Sequence, residues 1–387
     1  MEKNFNVVET KPQTEEVASE FFDLKIITDG KPCSKPQKIK RTEEDISVSC
    51  FVMLTDSPLM HVKGGSYNLD LLGLEMFQYV VRACPSVPAC IKFDEKNDNL
   101  LALIKPYLKD TEYTLVLFSD TPLVTKSNIL NILDFAKTKG LNVCKLTRGY
   151  VFKTEYIKRV DEIYAPSTYY FEEEDFMMAV TYKQLYIISE TLKNRIISYH
   201  MQNGVYFKSP DTTYIEANVS IGSGAVIEPF VSLIGDTDIG EDAVIGCKSV
   251  LRNAKILSGA QICGAYVDGG VVMENAKVKM GAKLFSQTAI KEGAEVYEDA
   301  ILSNAIIGSH SMVGKGTIIN YLNCDENVCI GDNCKIIGTK EKPVNISRGG
   351  NLEDMVNLLP GVKIKENEKV KIGETKKTKA GENLWGL

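Results

Sequence analysis

The sequence is poor in several residue types on which common functions depend. Its 387 residues include one tryptophan and three histidines, and no apolar run approaches the roughly 18 to 20 residues that a membrane-spanning helix needs. No membrane partner is expected. Lysine and arginine number 45 against 51 aspartates and glutamates, so the formal net charge of −6 offers none of the basic excess that grips nucleic acid. No nucleic-acid partner is expected either. The start of the chain is polar and acidic, without the apolar core of a signal peptide, and a cytoplasmic location is expected. Ten cysteines lack the density and spacing of a disulfide framework, which predicts reduced thiols. Cys324, Cys329 and Cys334 are spaced too widely for the close pairs of zinc ribbons, and no metal is assigned there.

What the chain has in plenty is aliphatic residues at a fixed step. Counting by six from Ile215 gives Ile221, Ile227, Leu233, Ile239, Ile245, Leu251, Leu257 and then Cys263. After a break at 264–271 the step resumes through Val272, Val278, Leu284, Ile290, Val296 and Leu302. It continues in shifted phase through Ile307, Val313 and Ile319, then Cys324, Ile330 and Ile336. A helix needs a period near 3.6 and a half-buried strand a period of 2, so a step of six fits neither as one long element. It fits a coil of very short strands, each sending one aliphatic side chain inward, with glycine or Asn/Asp at the corners. Single coils bury little, and stacked coils share one apolar column. The pattern resembles the hexapeptide-repeat, left-handed β-helix family, whose fold serves several unrelated functions.

Upstream, strand and helix signals alternate. Apolar runs at 50–54, 89–93, 115–118 and 141–146 read as strands, the third continuous enough for a buried parallel sheet. Helical spacing is read through Leu72, Met76, Phe77, Val80 and Val81, through Leu101, Ile104 and Leu108, and from an N-cap at Ser127 through Leu133 to Gly140. Repeated βα units imply a parallel sheet covered by helices. The expected organisation is a polar extension (1–45), an α/β domain (46–181), a linker helix (182–204), a β-helix (205–338) and a C-terminal extension (339–387).

Chemistry is sought at the carboxyl end of the third strand, where open α/β sheets bind ligands. Phe118-Ser119-Asp120-Thr121-Pro122-Leu123 puts Asp120 there. A carboxylate in that place can hold Mg²⁺ on nucleotide phosphates, or it can simply start the turn before Pro122. The segment is similar to the Gly-Asp-x-Pro-Leu of the bacterial N-acetylglucosamine-1-phosphate uridyltransferases. The run from Thr181-Tyr182-Lys183-Gln184-Leu185 through Arg195, His200-Met201 and Asn203-Gly204-Val205 to Tyr214-Ile215 resembles that family's linker helix and first β-helix coil. Members join a uridylyltransferase of nucleotidyltransferase-type, Rossmann-like fold to a left-handed β-helix acetyltransferase. The resemblance implies Asp120 as catalytic metal ligand, Mg²⁺ as cofactor, and a nucleotide or sugar phosphate as ligand. It also implies a homotrimer through the β-helix. Thr147-Arg148-Gly149 stands where the family contacts the sugar, and Thr181 where it has its second metal ligand.

The departures are specific. The family's glycine-rich phosphate loop, whose amides cradle phosphates, is replaced by Leu54-Thr55-Asp56-Ser57-Pro58-Leu59. The acetyltransferase histidine segment and its amino-sugar loop are absent, and His310 in Gly308-Ser309-His310-Ser311 is the one histidine on the repeats. His310 is a candidate base or a polar corner residue. Three functions stay open: a sugar-1-phosphate nucleotidylyltransferase of the UDP-N-acetylglucosamine pyrophosphorylase type, a non-catalytic binding or scaffold relative, and a β-helix acyl-CoA-dependent acyltransferase.

Overall fold

Alternation of apolar side chains on one central strand sets the architecture of the α/β domain. In a strand, successive side chains point to opposite faces. Leu115 and Leu117 join the layer containing Phe77, Val80, Ile129 and Leu133, while Val116 and Phe118 join Leu101, Ile104, Phe152 and Ile157 on the other side. The computed structural model describes residues 47–60, 62–164, 167–168, 174–285 and 287–378. The expected extension at 1–45 lies outside the described residues, as does His61.

The sheet has six strands: β1 (Val48–Leu54), β2 (Ala89–Lys92), β3 (Tyr113–Phe118), β4 (Val143–Leu146), β5 (Gly149–Lys153) and β6 (Ser167–Thr168), in the order β2-β1-β3-β5-β4-β6. The first three are mutually parallel. The expected α/β parallel-sheet domain is present, with one strand, β5, running antiparallel between β3 and β4. Leu146 pairs with Gly149, so a two-residue turn reverses the chain there.

Helix α1 covers Met76–Ala83, α2 Lys126–Thr138 and α3 Tyr182–Gln202. The first is shorter than the sequence spacing predicts, because Leu72 (φ 53°) and Gly73 (φ 81°) form the turn of a small hairpin instead. Helix α2 is capped by Thr125, whose hydroxyl accepts from the Asn128 amide at 3.2 Å, not by Ser127. The chain divides into two compact units at Leu192/Lys193, inside α3.

The second unit is a parallel β-helix. Ile215, Leu233, Leu251, Val267, Leu284, Leu302, Ile319, Ile336 and Leu358 stack in register from coil to coil. All nine are at most 1% exposed, and they form one wall of the apolar column. In many coils the residue just before the strand pair is small and buried, as with Ala243, Ala260, Ala276 and Ala294. Where a hydroxyl replaces alanine it bonds between coils: Thr317 Oγ1 donates to Gly331 O and accepts from the Cys334 amide.

Three expectations about the repeats are corrected. Ile256 and Ile262 point inward, whereas Leu257 is half-buried and Cys263 exposed, because the coil is one residue short at Arg252–Ala254. The stretch read as a break contains the strand Tyr266–Asp268, with Val267 fully buried. The β-helix also runs past 338. After the insertion Gly338–Pro343, strands continue from Val344–Ile346 to Thr375–Lys376, with Ile346, Leu352, Leu358, Ile364 and Val370 inward at the same six-residue step.

Candidate active site

Strand β3 is buried along its length and carries Asp120 to its carboxyl end. Ser119 N donates to Met53 O at 3.0 Å, and Ala179 N donates to Asp120 O at 2.8 Å, so the backbone on both sides of Asp120 is tied down. The tight β4–β5 turn brings Arg148 against it. Arg148 Nη2 lies 2.7 Å and Nε 3.1 Å from Asp120 Oδ2, and Nε lies 3.2 Å from Oδ1. Glu95, in the loop after β2, accepts from Arg148 Nη2 as well. The guanidinium also lies over the Phe118 ring, 4.2 Å from its centroid, and Phe93 meets that ring edge-on at 5.9 Å. Burial opposes the charge on Arg148, and the hydrogen bonds to Asp120 and Glu95 outweigh it, so its pKa is raised above the ordinary arginine value.

Of the residues singled out from sequence, the structure thus joins Asp120 and Arg148. Gly149 serves the same cluster through its backbone. Its φ is 142°, and a Cβ there would stand 2.6 Å from Val116 O. Thr147 is exposed at the turn. Thr181 caps α3: its amide and hydroxyl both lie 3.0 Å from Gln184 Oε1, and the Gln184 amide donates back to its hydroxyl at 3.3 Å. This is a capping box, which occupies the hydroxyl that a metal would need. Glu95 escaped the sequence reading, since an isolated glutamate in a polar loop carries no signal of its partner.

Several amides of the loop after β1 are satisfied within the protein. The amides of Thr55, Ser57 and Ser66 donate to Ser119 Oγ (3.0 Å), Ser66 Oγ (2.8 Å) and Asp56 Oδ1 (2.7 Å). Those three backbone donors are thereby used, and the Asp56 carboxylate adds negative charge beside them. Mg²⁺ does not fit this arrangement. It takes oxygen ligands at about 2.0–2.1 Å, and both Asp120 oxygens already accept from Arg148. Among the described residues no group of three or more His, Cys, Asp and Glu is arranged to hold a metal.

On the β-helix, His310 is an exposed corner residue with φ 56°, its amide donating to Glu292 O of the coil before. Asp242, Asn275, Asn327 and Asn367 hold equivalent left-handed corners. Near it a cleft of about 350 Å³ is lined by Lys291, Gly308, Ser309, Asp325, Glu326 and Arg348, and Arg348 is paired with Glu326 at 3.1 Å.

Comparison with known proteins agrees with the fold. The family profile "Bacterial transferase hexapeptide (six repeats)" matches residues 218–253. The bifunctional protein GlmU of Alkaliphilus metalliredigens is 30% identical over 207 residues, 52% of this chain and 45% of that protein. GlmU of Nocardia farcinica is 35% identical over 148 residues, 38% of this chain and 30% of that protein. The chain therefore spans less than half the length of these relatives. Among solved structures, UDP-N-acetylglucosamine acyltransferase from Campylobacter jejuni is 16% identical with a TM-score of 0.30, covering 43% of this chain and 71% of that one. With its stacked hexapeptide coils and this level of identity, the chain is similar to the GlmU proteins over its C-terminal half and carries the hexapeptide repeats of bacterial transferases.

Proposed function

We propose that this protein is a UDP-N-acetylglucosamine pyrophosphorylase-like protein that keeps the family fold for binding or scaffolding and does not carry out Mg²⁺-dependent nucleotidyl transfer. The observation that carries this reading is the hold of Arg148 on both oxygens of Asp120. A fixed guanidinium supplies one positive charge, already shared with Glu95, where transfer between phosphates needs a cation able to bridge them. The loop after β1 supports the same conclusion, since its Thr55, Ser57 and Ser66 amides have intramolecular acceptors. A nucleotide or sugar phosphate remains the expected ligand class, and a homotrimer through the β-helix the expected assembly. Cytoplasmic location belongs to the same proposal; among the described residues no helix is long and apolar enough to cross a membrane.

The test is pyrophosphate release with UTP and N-acetylglucosamine 1-phosphate, run beside thermal melts with Mg²⁺ titrated. No turnover and a melting point indifferent to Mg²⁺ are expected. Turnover that depends on Mg²⁺ and disappears in Asp120→Asn would overturn the proposal in favour of an active nucleotidylyltransferase. UDP-sugars and acetyl-CoA added to the same melts distinguish a retained sugar-nucleotide site from an acyl-donor site.

A further inference from the structure

Two exposed thiols lie on neighbouring coils of the β-helix, apart from the Asp120 cluster. Cys247 comes just after the strand Val244–Ile245, and Cys263 just after Gln261–Ile262. The two strands pair in parallel with Ile245 opposite Ile262, and the Gly246 amide donates to Ile262 O at 2.6 Å. The register therefore continues with Gly246 opposite Cys263 and Cys247 opposite Gly264. Close contacts agree with this. A Cβ on Gly246 would stand 3.0 Å from Cys263 Cα and 3.5 Å from its Sγ, and a Cβ on Gly264 would stand 3.4 Å from Cys247 O. Each cysteine thus faces a glycine, and neither glycine puts a side chain between the two thiols.

The surrounding bonds hold the two dipeptides side by side. Ser249, fully buried, donates from its hydroxyl to Gly246 O at 2.7 Å and accepts from the Gly264 amide at 3.0 Å. One hydroxyl thereby clips the residue before Cys247 to the residue after Cys263. The Cys247 amide donates to Glu228 Oε2 at 3.0 Å, which fixes the backbone on its other side. Cys263 is a surface thiol because the coil is one residue short at Arg252–Ala254, which puts Ile262 in the column instead.

We infer that Cys247 and Cys263 form a thiol-modification site that reacts with low-molecular-weight disulfides and closes to an intramolecular disulfide between coils. Strands about 4.8 Å apart with a rise of about 3.3 Å per residue put diagonal Cα atoms about 6 Å apart. Disulfides span about 4.4–6.8 Å between Cα atoms, so closure needs no movement of the coils. Both cysteines are exposed, and either is open to an incoming disulfide RSSR. The thiolate of the first bonds to one sulfur of RSSR, the S–S bond breaks and RS⁻ leaves. The second cysteine, as thiolate, attacks the cysteine sulfur of the mixed disulfide, breaking the Cys–SR bond and expelling a second RS⁻. The two RS⁻ take up the two protons that the cysteines released and depart as RSH. Two cysteine sulfurs are oxidised and one RSSR is reduced.

The full chain is reduced, incubated with oxidised and reduced glutathione at graded ratios, quenched in acid, alkylated under denaturing conditions, digested and mapped by mass spectrometry. The Cys247 and Cys263 peptides are expected joined in protein that runs as a monomer on a non-reducing denaturing gel. Fully buried Cys334 is expected alkylated and serves as the internal control. Cys247→Ser is expected to leave a glutathione adduct on Cys263, and Cys263→Ser an adduct on Cys247. Wild-type protein that carries separate glutathione adducts on both cysteines, or that keeps both alkylated with oxidised glutathione in large excess, would overturn the inference. A joined peptide found only in covalent dimers would overturn it too. The wild-type map decides the matter even if a serine variant fails to fold.

Discussion

A Cβ on Gly149 would stand 2.6 Å from the carbonyl oxygen of Val116, across the antiparallel pairing of β5 with β3. Its φ of 142° is likewise a conformation that side-chain-bearing residues rarely adopt. The position of the Arg148 side chain therefore depends on a glycine that has no chemistry of its own. Gly149→Ala is expected to destabilise the α/β domain by about 2–3 kcal/mol, combining strain with displaced backbone. Urea denaturation followed by circular dichroism measures this, and an unchanged midpoint would refute it.

Removing the arginine should expose what it restrains. Arg148→Ala leaves Asp120 and Glu95 facing each other without their shared cation, at a cost of about 2–3 kcal/mol for this partly buried cluster. Mg²⁺ at millimolar concentration should then raise the melting temperature of Arg148→Ala by several degrees and leave the wild type unmoved. In Arg148→Ala/Asp120→Asn the Mg²⁺ response should vanish, because the carboxylate that binds the ion is gone. An equal Mg²⁺ response in wild type and Arg148→Ala would show that the guanidinium is not what keeps the cation away.

How much of this was legible depends on whether the signal is local. Asp120 could be placed from sequence because the continuous apolar run Leu115–Phe118 precedes it, and the structure has that run as a buried strand ending at the sheet edge where Asp120 emerges. Its partnership with Arg148 could not, since it requires β5 to turn back antiparallel, and the Thr147-Arg148 turn lacks the Asn-Gly or Asp-Gly signature of a tight hairpin. The β-helix was legible for the same reason as β3. Its last coils were spelled out in Ile346, Leu352, Leu358, Ile364 and Val370, but the Gly338–Pro343 insertion broke the count.

The one-residue shift at Arg252–Ala254 can be tested directly. Ile256 is 1% exposed inside the column, and Ile256→Ala should cost about 3 kcal/mol through lost burial and a residual cavity. Leu257 is half-buried at the corner, so Leu257→Ala should cost about 1 kcal/mol or less. Urea midpoints of the two variants decide between the registers, and the reverse order would restore the uninterrupted step of six. A thiol reagent on the native protein gives a second measure: exposed Cys263 should react, and fully buried Cys334 should stay protected until unfolding.

His200 couples stability to acid. It lies on α3 at 2% exposure, beside Tyr199, with a backbone hydrogen bond involving Val219. Burial holds its pKa down to about 4, and the hydrogen bond only partly opposes this. In the unfolded chain the imidazole returns to its ordinary value of about 6.5. The unfolded state therefore binds the proton first as pH falls, and the stabilisation present above pH 6.5 is lost progressively from there through the folded pKa near 4. By pH 5 the loss should reach about 2 kcal/mol, because each full step in pH between those two values removes about 1.4 kcal/mol. Carboxylates such as Glu295 and Glu228, whose pKa values are lowered by hydrogen bonds from Lys277 and Lys208, protonate at lower pH and act in the same direction. Comparison with His200→Gln separates the two contributions. The variant starts less stable at pH 7.5, but its urea midpoint should fall less than that of the wild type between pH 7.5 and 5. Parallel pH profiles for the two proteins would mean that His200 takes up no differential proton on unfolding.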